Sequence, residues 1–311
     1  MNIVLTFDDS YVQHASVLIA SVCSNNDGLI NFFIISDYIS EQNVKHINEL
    51  VYAYKNSVKF IMLDKHSLEK FPIGEGTANT YVSLATYYRL LIPDLIPLEI
   101  NKVIYLDCDI VVNGDLSDLW NYDVSKVCLA ALEEQPSLCC SGCKRLKYDQ
   151  QYSYFNAGVL LLNLENIRKK CTFNNFTTYI REHHKDILFH DQDVLNKFFH
   201  ASKKFIPLKY NVMDACLLKK ANISKLYRHE VEDIYRPIII HYSGPIKPWH
   251  KECRNPYKSL YYNYLQITSW KKYQPLKKYT TLKDVMVFRL KNFIKFVLES
   301  LHIHYYSYIK I

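Results

Sequence analysis

Apolar and polar positions alternate along this chain between two periods, one suited to strands and one to helices. Ile3–Phe7 reads as a buried strand, and Tyr11–Cys23 follows with apolar residues at helical spacing. Phe32–Ser36 is the next strand, after which Ser40-Glu41 opens a helix reaching Tyr54. Val58–Leu63 is a third strand. Val82–Leu91 reads as helical and is closed by Pro93. Lys102–Leu106 and Val127–Leu132 are the fourth and fifth strands. Farther on, Ala157–Asn163 reads as a strand, Asp193–Phe199 as a helix and Pro237–His241 as a strand. The alternation predicts an α/β fold of Rossmann-like type, a mostly parallel, mixed sheet flanked by helices. No internal repeat and no low-complexity linker occurs before Trp270.

Ligands of open α/β sheets collect at the carboxyl ends of the strands. Asp8-Asp9-Ser10 follows the first strand, and Asp107-Cys108-Asp109 follows the fourth. The late strand leads into His241-Tyr242-Ser243-Gly244-Pro245-Ile246-Lys247-Pro248-Trp249-His250. Acids, an imidazole, a glycine and a lysine at three strand ends suit a cation that carries a diphosphate. In extended backbone, residues i and i+2 point to one face, so Asp107 and Asp109 can reach one ion. Carboxylates suit Mg²⁺ or Mn²⁺, and the imidazole of His241 shifts the choice toward Mn²⁺. An Asp-x-Asp at a strand end also serves simply to cap a turn.

Six ordered segments give these residues more meaning. They are Phe7-Asp8-Asp9, Thr86–Leu90, Tyr105–Asp109 with Leu116–Trp120, Tyr154–Val159, Asp191–Asn196 and His241–His250. From Met1 to about Arg254 the chain resembles the retaining nucleotide-sugar glycosyltransferases of family 8. Among these it is most similar to the bacterial lipooligosaccharide and lipopolysaccharide galactosyl- and glucosyltransferases, the α-1,4-galactosyltransferases in particular. The resemblance implies a GT-A type fold and a metal-dependent transfer of galactose or glucose from a UDP-sugar to a saccharide acceptor.

It also implies roles. Asp8 partners the uracil ring, with the strand-end backbone at Thr6 beside it. Asp107, Asp109 and His241 hold the metal, Mn²⁺ or alternatively Mg²⁺, and Asp107 lies near the ribose. Gly244 lets backbone approach the diphosphate, and Lys247 gives it a point charge. Arg89, Asn156, Ala157, Asp191 and Gln192 hold the sugar or line its anomeric face. Gln192, Asp191 and Asp193 are the residues assigned to catalysis. Gln192 is an amide and a poor nucleophile, which favours a front-face path over double displacement through a carboxylate. Ser10 departs from the Asn frequent in relatives, shortening the reach toward the nucleotide. Plainer readings stand beside these: Arg89 as a paired surface cation, Asn156 as a turn-former, Asp191 and Asp193 as cap and first-turn acid. Trp249 and His250 either pack their loop or line the acceptor cleft.

Charge separates the chain into two parts. Of 38 Lys+Arg and 31 Asp+Glu, residues 271–311 hold nine basic and two acidic, so the tail carries the whole net charge of +7. The expected organisation is a catalytic domain at 1–270 and a basic amphipathic tail at 271–311. In the tail, Leu282, Met286, Leu290, Phe293, Val297 and Leu301 form a helical stripe. Lys283, Lys291 and Lys295 lie off it, and Phe288, Phe296, Tyr305, Tyr306 and Tyr308 add aromatics. Such a helix reads as an anchor on an anionic membrane surface; docking on its own domain or on a second subunit is the other reading. No nucleic-acid motif is present. The amino-terminal residues lack a basic signal-peptide region, and no apolar run approaches a membrane span. Nine cysteines, an odd number, fit free thiols in a reducing compartment. The expected location is therefore cytoplasmic, at the inner face of the membrane. Cys139, Cys140 and Cys143 lack a second ligand pair and read as a Cys-rich loop. A glucosyltransferase acting on a protein or soluble glycan, and an inactive UDP-sugar-binding module, are the alternatives.

Overall fold

The computed structural model describes residues 1–64, 84–302 and 306–311. Among them ten strands form two sheets: β1 (Asn2–Thr6), β2 (Asn31–Ser36), β3 (Ser57–Met62), β4 (Lys102–Leu106), β5 (Ile110–Val112), β6 (Leu129–Glu133), β7 (Phe155–Asn163), β8 (Lys203–Phe205), β9 (Val212–Met213) and β10 (Ile239–His241). The large sheet runs β3-β2-β1-β4-β7-β6-β8. β3, β2, β1 and β4 are parallel neighbours, and β7 runs antiparallel to both β4 and β6. The chain moves outward from β1 to β3 and then returns to place β4 on the other side of β1. That reversal opens a crevice at the carboxyl ends of β1 and β4.

Both faces of this sheet are covered, and side chains alternate between them as the pleat requires. Ile3, Leu5, Ile104, Leu106, Val159 and Leu161 pack with helices Val12–Asn25, Glu41–Ala53 and Lys258–Leu265. Val4, Val103, Tyr105, Leu160 and Leu162 pack on the opposite face with helices Leu164–Lys170, Phe173–His183 and His190–Phe199. The small sheet, β5-β10-β9, does the most for the site. β5 follows Asp109 immediately and pairs antiparallel with β10 in a register that sets Ile110 opposite His241. Tyr242 N–H donates to Asp109 O at 2.9 Å, extending that pairing by one rung.

The strands and helices expected from periodicity recur within a few residues of their predicted ends, with two corrections. Leu84–Leu91 is a 3₁₀ helix, and Pro93 does not close it. Pro93 instead lies in the first turn of the α-helical segment Ile92–Leu95, where its missing N–H forfeits no hydrogen bond. Val82 and Ser83 of that predicted helix lie outside the described residues. The Cys-rich stretch is no loop but helix Pro136–Arg145, again opened by a proline; all nine thiols are free.

The segment leading into β4 is held by one side chain. Arg168 donates from Nε to Pro93 O (2.8 Å), and from its two terminal nitrogens to Ile96 O (2.7 Å) and Ile100 O (3.2 Å). A planar fork can satisfy several converging carbonyls at once, which an ammonium cannot. Arg168→Met should therefore destabilise the protein by about 1.5–3 kcal/mol in urea unfolding. Arg168→Lys should recover less than half of that loss.

Candidate functional site

Asp107 and Asp109 follow β4 directly, and the first is locked to the neighbouring strand by Asp107 N–H donating to Gly158 O at 2.9 Å. Asp107, Asp109 and His241 bring one ligating atom each within 4.8 Å of one another. His241 Nε2 is 3.3 Å from Asp109 Oδ1 and 4.0 Å from Asp107 Oδ2. The outer oxygen of each carboxylate is already engaged. Asp107 Oδ1 accepts from Tyr105 Oη at 2.7 Å and pairs with Arg89 at 2.8 Å. Asp109 Oδ2 accepts from Lys247 Nζ at 2.5 Å. The inner oxygens face His241, and Asp109 Oδ1 is buried without a hydrogen-bond partner. Burial works against charge on Asp109, but Lys247 and His241 outweigh it and hold this carboxyl far below the usual carboxylate range. Two carboxylate oxygens and one imidazole nitrogen at one point form a donor set that fits a hard divalent cation.

His241 presents the correct nitrogen because of a relay behind it. Its Nδ1 donates to Asn211 Oδ1 at 2.9 Å. The amide of Asn211 donates to Asn156 Oδ1 at 2.9 Å, and Asn156 Nδ2 donates to Glu134 Oε2 at 3.0 Å. Asn156 Oδ1 also accepts from Gly158 N–H at 2.9 Å, which fixes the orientation of that amide. Starting from the Glu134 carboxylate, each donor–acceptor choice forces the next, and the His241 proton ends on Nδ1. Its Nε2 is left facing the two aspartates; burial disfavours a charged imidazole, but their charges outweigh it and raise its pKa, and a bound cation would take the place of the proton there. Gly158 supplies the space. A Cβ there would lie 2.3 Å from His241 Cε1 and 3.0 Å from Asp107 Oδ2.

A second set of residues lies beside this cluster. The Arg89 guanidinium is 2.9 Å from Asp191, donates to Ala157 O at 2.8 Å and stacks 4.6 Å above the Tyr105 ring. Burial pushes the Asp191 carboxyl up to about 7, with Arg89 pulling it down. Gln192 Oε1 accepts from Ala157 N–H at 2.9 Å, and its Nε2 donates to Tyr154 Oη at 3.2 Å. Asp193 sits behind Gln192 and has no exposed surface. It takes a bidentate pair from Arg145 (2.6 and 2.9 Å), the Tyr154 hydroxyl (2.7 Å) and the Leu188 and Phe189 amides (both 2.7 Å). Asp193 thus reaches the open side of the site only through Tyr154 and Gln192.

Thr6 and Asp8 stand at the end of β1. Thr6 Oγ1 is 3.1 Å from Tyr105 Oη, and the Asp8 carboxylate accepts from the amide and hydroxyl of Ser10. Asp9 braces the start of helix Glu41–Ala53, accepting from Ser40 N–H and Asn43 Nδ2, both at 2.8 Å. Gly244 N–H donates to Asp214 at 2.8 Å. Trp249 is buried and stacks on His14 at 3.5 Å, so it packs its loop; burial holds that imidazole down, at about 3, and neutral.

Sequence reasoning missed Asn211, Glu134, Tyr105, Tyr154, Arg145 and Asp214. Tyr105 and Tyr154 lay within the segments quoted above without a role assigned to them, and Tyr105 also shares the strand face of Asp107 two residues on. The cluster and its support yield one paired expectation. Gly158→Ala displaces the His241 ring, and Asn211→Ala frees it to turn. Each should weaken Mn²⁺ binding, measured by titration calorimetry, at least about tenfold while the fold is retained.

The sequence model of glycosyl transferase family 8 matches residues 2–253. General stress protein A of Bacillus subtilis is 28% identical over 277 residues, spanning 87% of this chain and 94% of that protein. A lipopolysaccharide 1,2-glucosyltransferase of Escherichia coli is 28% identical over 282 residues, spanning 89% and 81%. Among solved structures, the galactosyltransferase LgtC, crystallised with donor and acceptor sugar analogues, superposes with a TM-score of 0.76 at 26% identity. That superposition covers 86% of this chain and 96% of LgtC. With the sequence match running through every strand end that builds the site, and the sheet matching the GT-A fold of LgtC, the chain belongs to glycosyl transferase family 8.

Proposed function

We propose that the chain moves galactose or glucose from a UDP-sugar to a saccharide acceptor of the lipopolysaccharide type, with retention at the anomeric carbon. The observation that carries this reading is the charge balance at the strand ends. Asp107, Asp109 and Asp191 lie with two fixed cations, Arg89 and Lys247, which leaves one net negative charge when all three carboxyls are ionised and His241 is neutral, and none when Asp191 is protonated. Asp107, Asp109 and His241 would hold a divalent cation, Mn²⁺ by the presence of the imidazole, and its charge supports a diphosphate as leaving group. The site then turns net positive, as an anionic nucleotide needs.

The protein's own groups divide the rest of the work. Lys247 gives the departing diphosphate a second positive charge. Asp8, Thr6 and Asp107 face the nucleoside, while Arg89, Asn156, Ala157 and Asp191 orient the hexose. Gln192 sets its amide dipole beside the anomeric carbon; it is held by Ala157 and Tyr154 and supports positive charge without forming a bond. Asp193 keeps Tyr154, and through it Gln192, in place. The acceptor hydroxyl enters on the leaving-group face and passes its proton to the departing diphosphate.

The helix Leu282–Ser300 has no buried residue, and Leu290, Phe293 and Phe296 are more than half exposed. Among the described residues no helix is long and apolar enough to cross a membrane. A basic, aromatic, surface-lying helix of this kind supports attachment to an anionic leaflet where a lipid-linked acceptor resides.

Two measurements test the reading. With Mn²⁺, one of UDP-galactose and UDP-glucose should be turned over in a UDP-release assay. Asp109→Ala or chelator should lower that rate by about a hundredfold or more. No turnover of either donor by the unmodified protein with Mn²⁺ would reject the galactose-or-glucose transferase reading. Leu290→Glu and Phe293→Glu should each weaken co-sedimentation with phosphatidylglycerol vesicles by about tenfold, without changing UDP release from the soluble protein. Unchanged sedimentation would reject membrane attachment through this helix.

A further inference from the structure

Residues 306–309 return to the body of the protein and pair with the segment that follows β9, residues 214–219. Tyr308 pairs with Leu218 in an antiparallel bridge, flanked by Lys219 N–H donating to Ser307 O (2.9 Å) and Ile309 N–H donating to Leu217 O (2.8 Å). Tyr308 and Ile309 pack against the main core. The Tyr308 hydroxyl donates to Asp214 Oδ1 at 2.9 Å, beside Asn255 Nδ2 at the same distance. The other oxygen of Asp214 accepts from Gly244 N–H at 2.8 Å. Asp214 directly follows β9, whose Met213 is opposite His241, so this carboxylate stands beside the metal-ligand strand. The exposed helix is tied to the same segment. Glu299 accepts from Ser307 Oγ (2.7 Å), Ser307 N–H (3.1 Å) and Tyr306 N–H (3.3 Å), and lies 3.6 Å from Lys219.

We propose that Tyr308 is a positioning residue for the nucleotide: through Asp214 it fixes the Gly244 amide, so the returning end of the tail completes the diphosphate loop. The inference rests on the reading that Gly244 faces the diphosphate of UDP. Asp214 is a buried acceptor shared by three segments, and a hydrogen bond from the phenol fixes which way its carboxylate plane turns. With Asn255 as its sole remaining donor to Oδ1, the carboxylate is held less firmly, and so is the Gly244 N–H on its other oxygen. Glu299 joins the exposed helix to Ser307, next to Tyr308.

The test uses full-length Tyr308→Phe, which keeps the ring and removes only the hydroxyl. UDP affinity in the presence of Mn²⁺ should fall about fivefold to tenfold by calorimetry. KM for the sugar donor should rise with kcat unchanged, and hydrogen exchange of the 242–247 backbone should quicken. The melting temperature should stay at that of the unmodified protein. Unaltered UDP affinity and exchange in Tyr308→Phe would overturn the proposal while leaving the nucleotide reading intact. Weaker UDP binding that merely tracks a lowered melting temperature would overturn it too. If the unmodified protein bound no UDP, the nucleotide reading would fall first and this inference with it.

Discussion

Asp107, Asp109 and Asp191 are drawn together where β4 ends, in a setting where water screens their repulsion poorly. Like charges at such separations cost several kcal/mol unless cations stand among them. Arg89 and Lys247 supply that balance from opposite sides, each closing one outer carboxylate oxygen. What remains is an inward-facing notch of two oxygens and one imidazole nitrogen. Much of the surrounding structure keeps that notch in shape. Gly158 makes room for the ring, Asn211 fixes its proton, and β5 brings Asp109 and His241 into adjacent register. A stable fold has no need of such a crowd of acids, so its presence marks a site whose occupant supplies the missing positive charge.

The parts of the fold that were legible in the sequence are those with long periods. β1, β2, β4 and β7 are buried on both faces and read as apolar runs, the edge strand β3 reads from Val58, Phe60 and Ile61 although it is half exposed, and helices Val12–Asn25 and Glu41–Ala53 show their spacing openly. β5, β8 and β9 hold two or three residues each, too few to display any period; β8 forms on the edge of β6, and β5 and β9 on the two edges of β10. Pro93 misled for a local reason: a proline breaks a helix interior but suits a first turn. At the site, the residues able to hold a cation were readable because strand ends and, for Asp107 and Asp109, i, i+2 spacing bring them together. The residues that hold them were not. Asn211, Glu134 and Asp214 have no periodicity and no motif of their own; their value lies in hydrogen bonds across long sequence separations. Asp193 shows the converse, since its motif position drew attention while five hydrogen bonds occupy its carboxylate behind Gln192.

The basic stretch that begins after residue 270 still touches the body at its start. Lys251 N–H donates to Leu276 O at 2.8 Å and Lys278 N–H donates to Glu252 at 2.9 Å, so the tail leaves the body after these contacts. It returns at Ser307–Ile309, leaving helix Leu282–Ser300 as an exposed span fastened at both ends. Tyr305, counted among the tail aromatics, lies outside the described residues. An exposed apolar helix tethered this way can meet a surface without the catalytic domain losing its own packing.

The most direct test of the cation notch is pulsed electron paramagnetic resonance on the protein loaded with Mn²⁺ and UDP. Expected is a ¹⁴N coupling from the His241 imidazole together with ³¹P couplings from the diphosphate, the former lost in His241→Gln. A spectrum of Mn²⁺ surrounded by water alone, with neither coupling, would contradict the assignment of Asp107, Asp109 and His241 as the seat of a diphosphate-carrying cation.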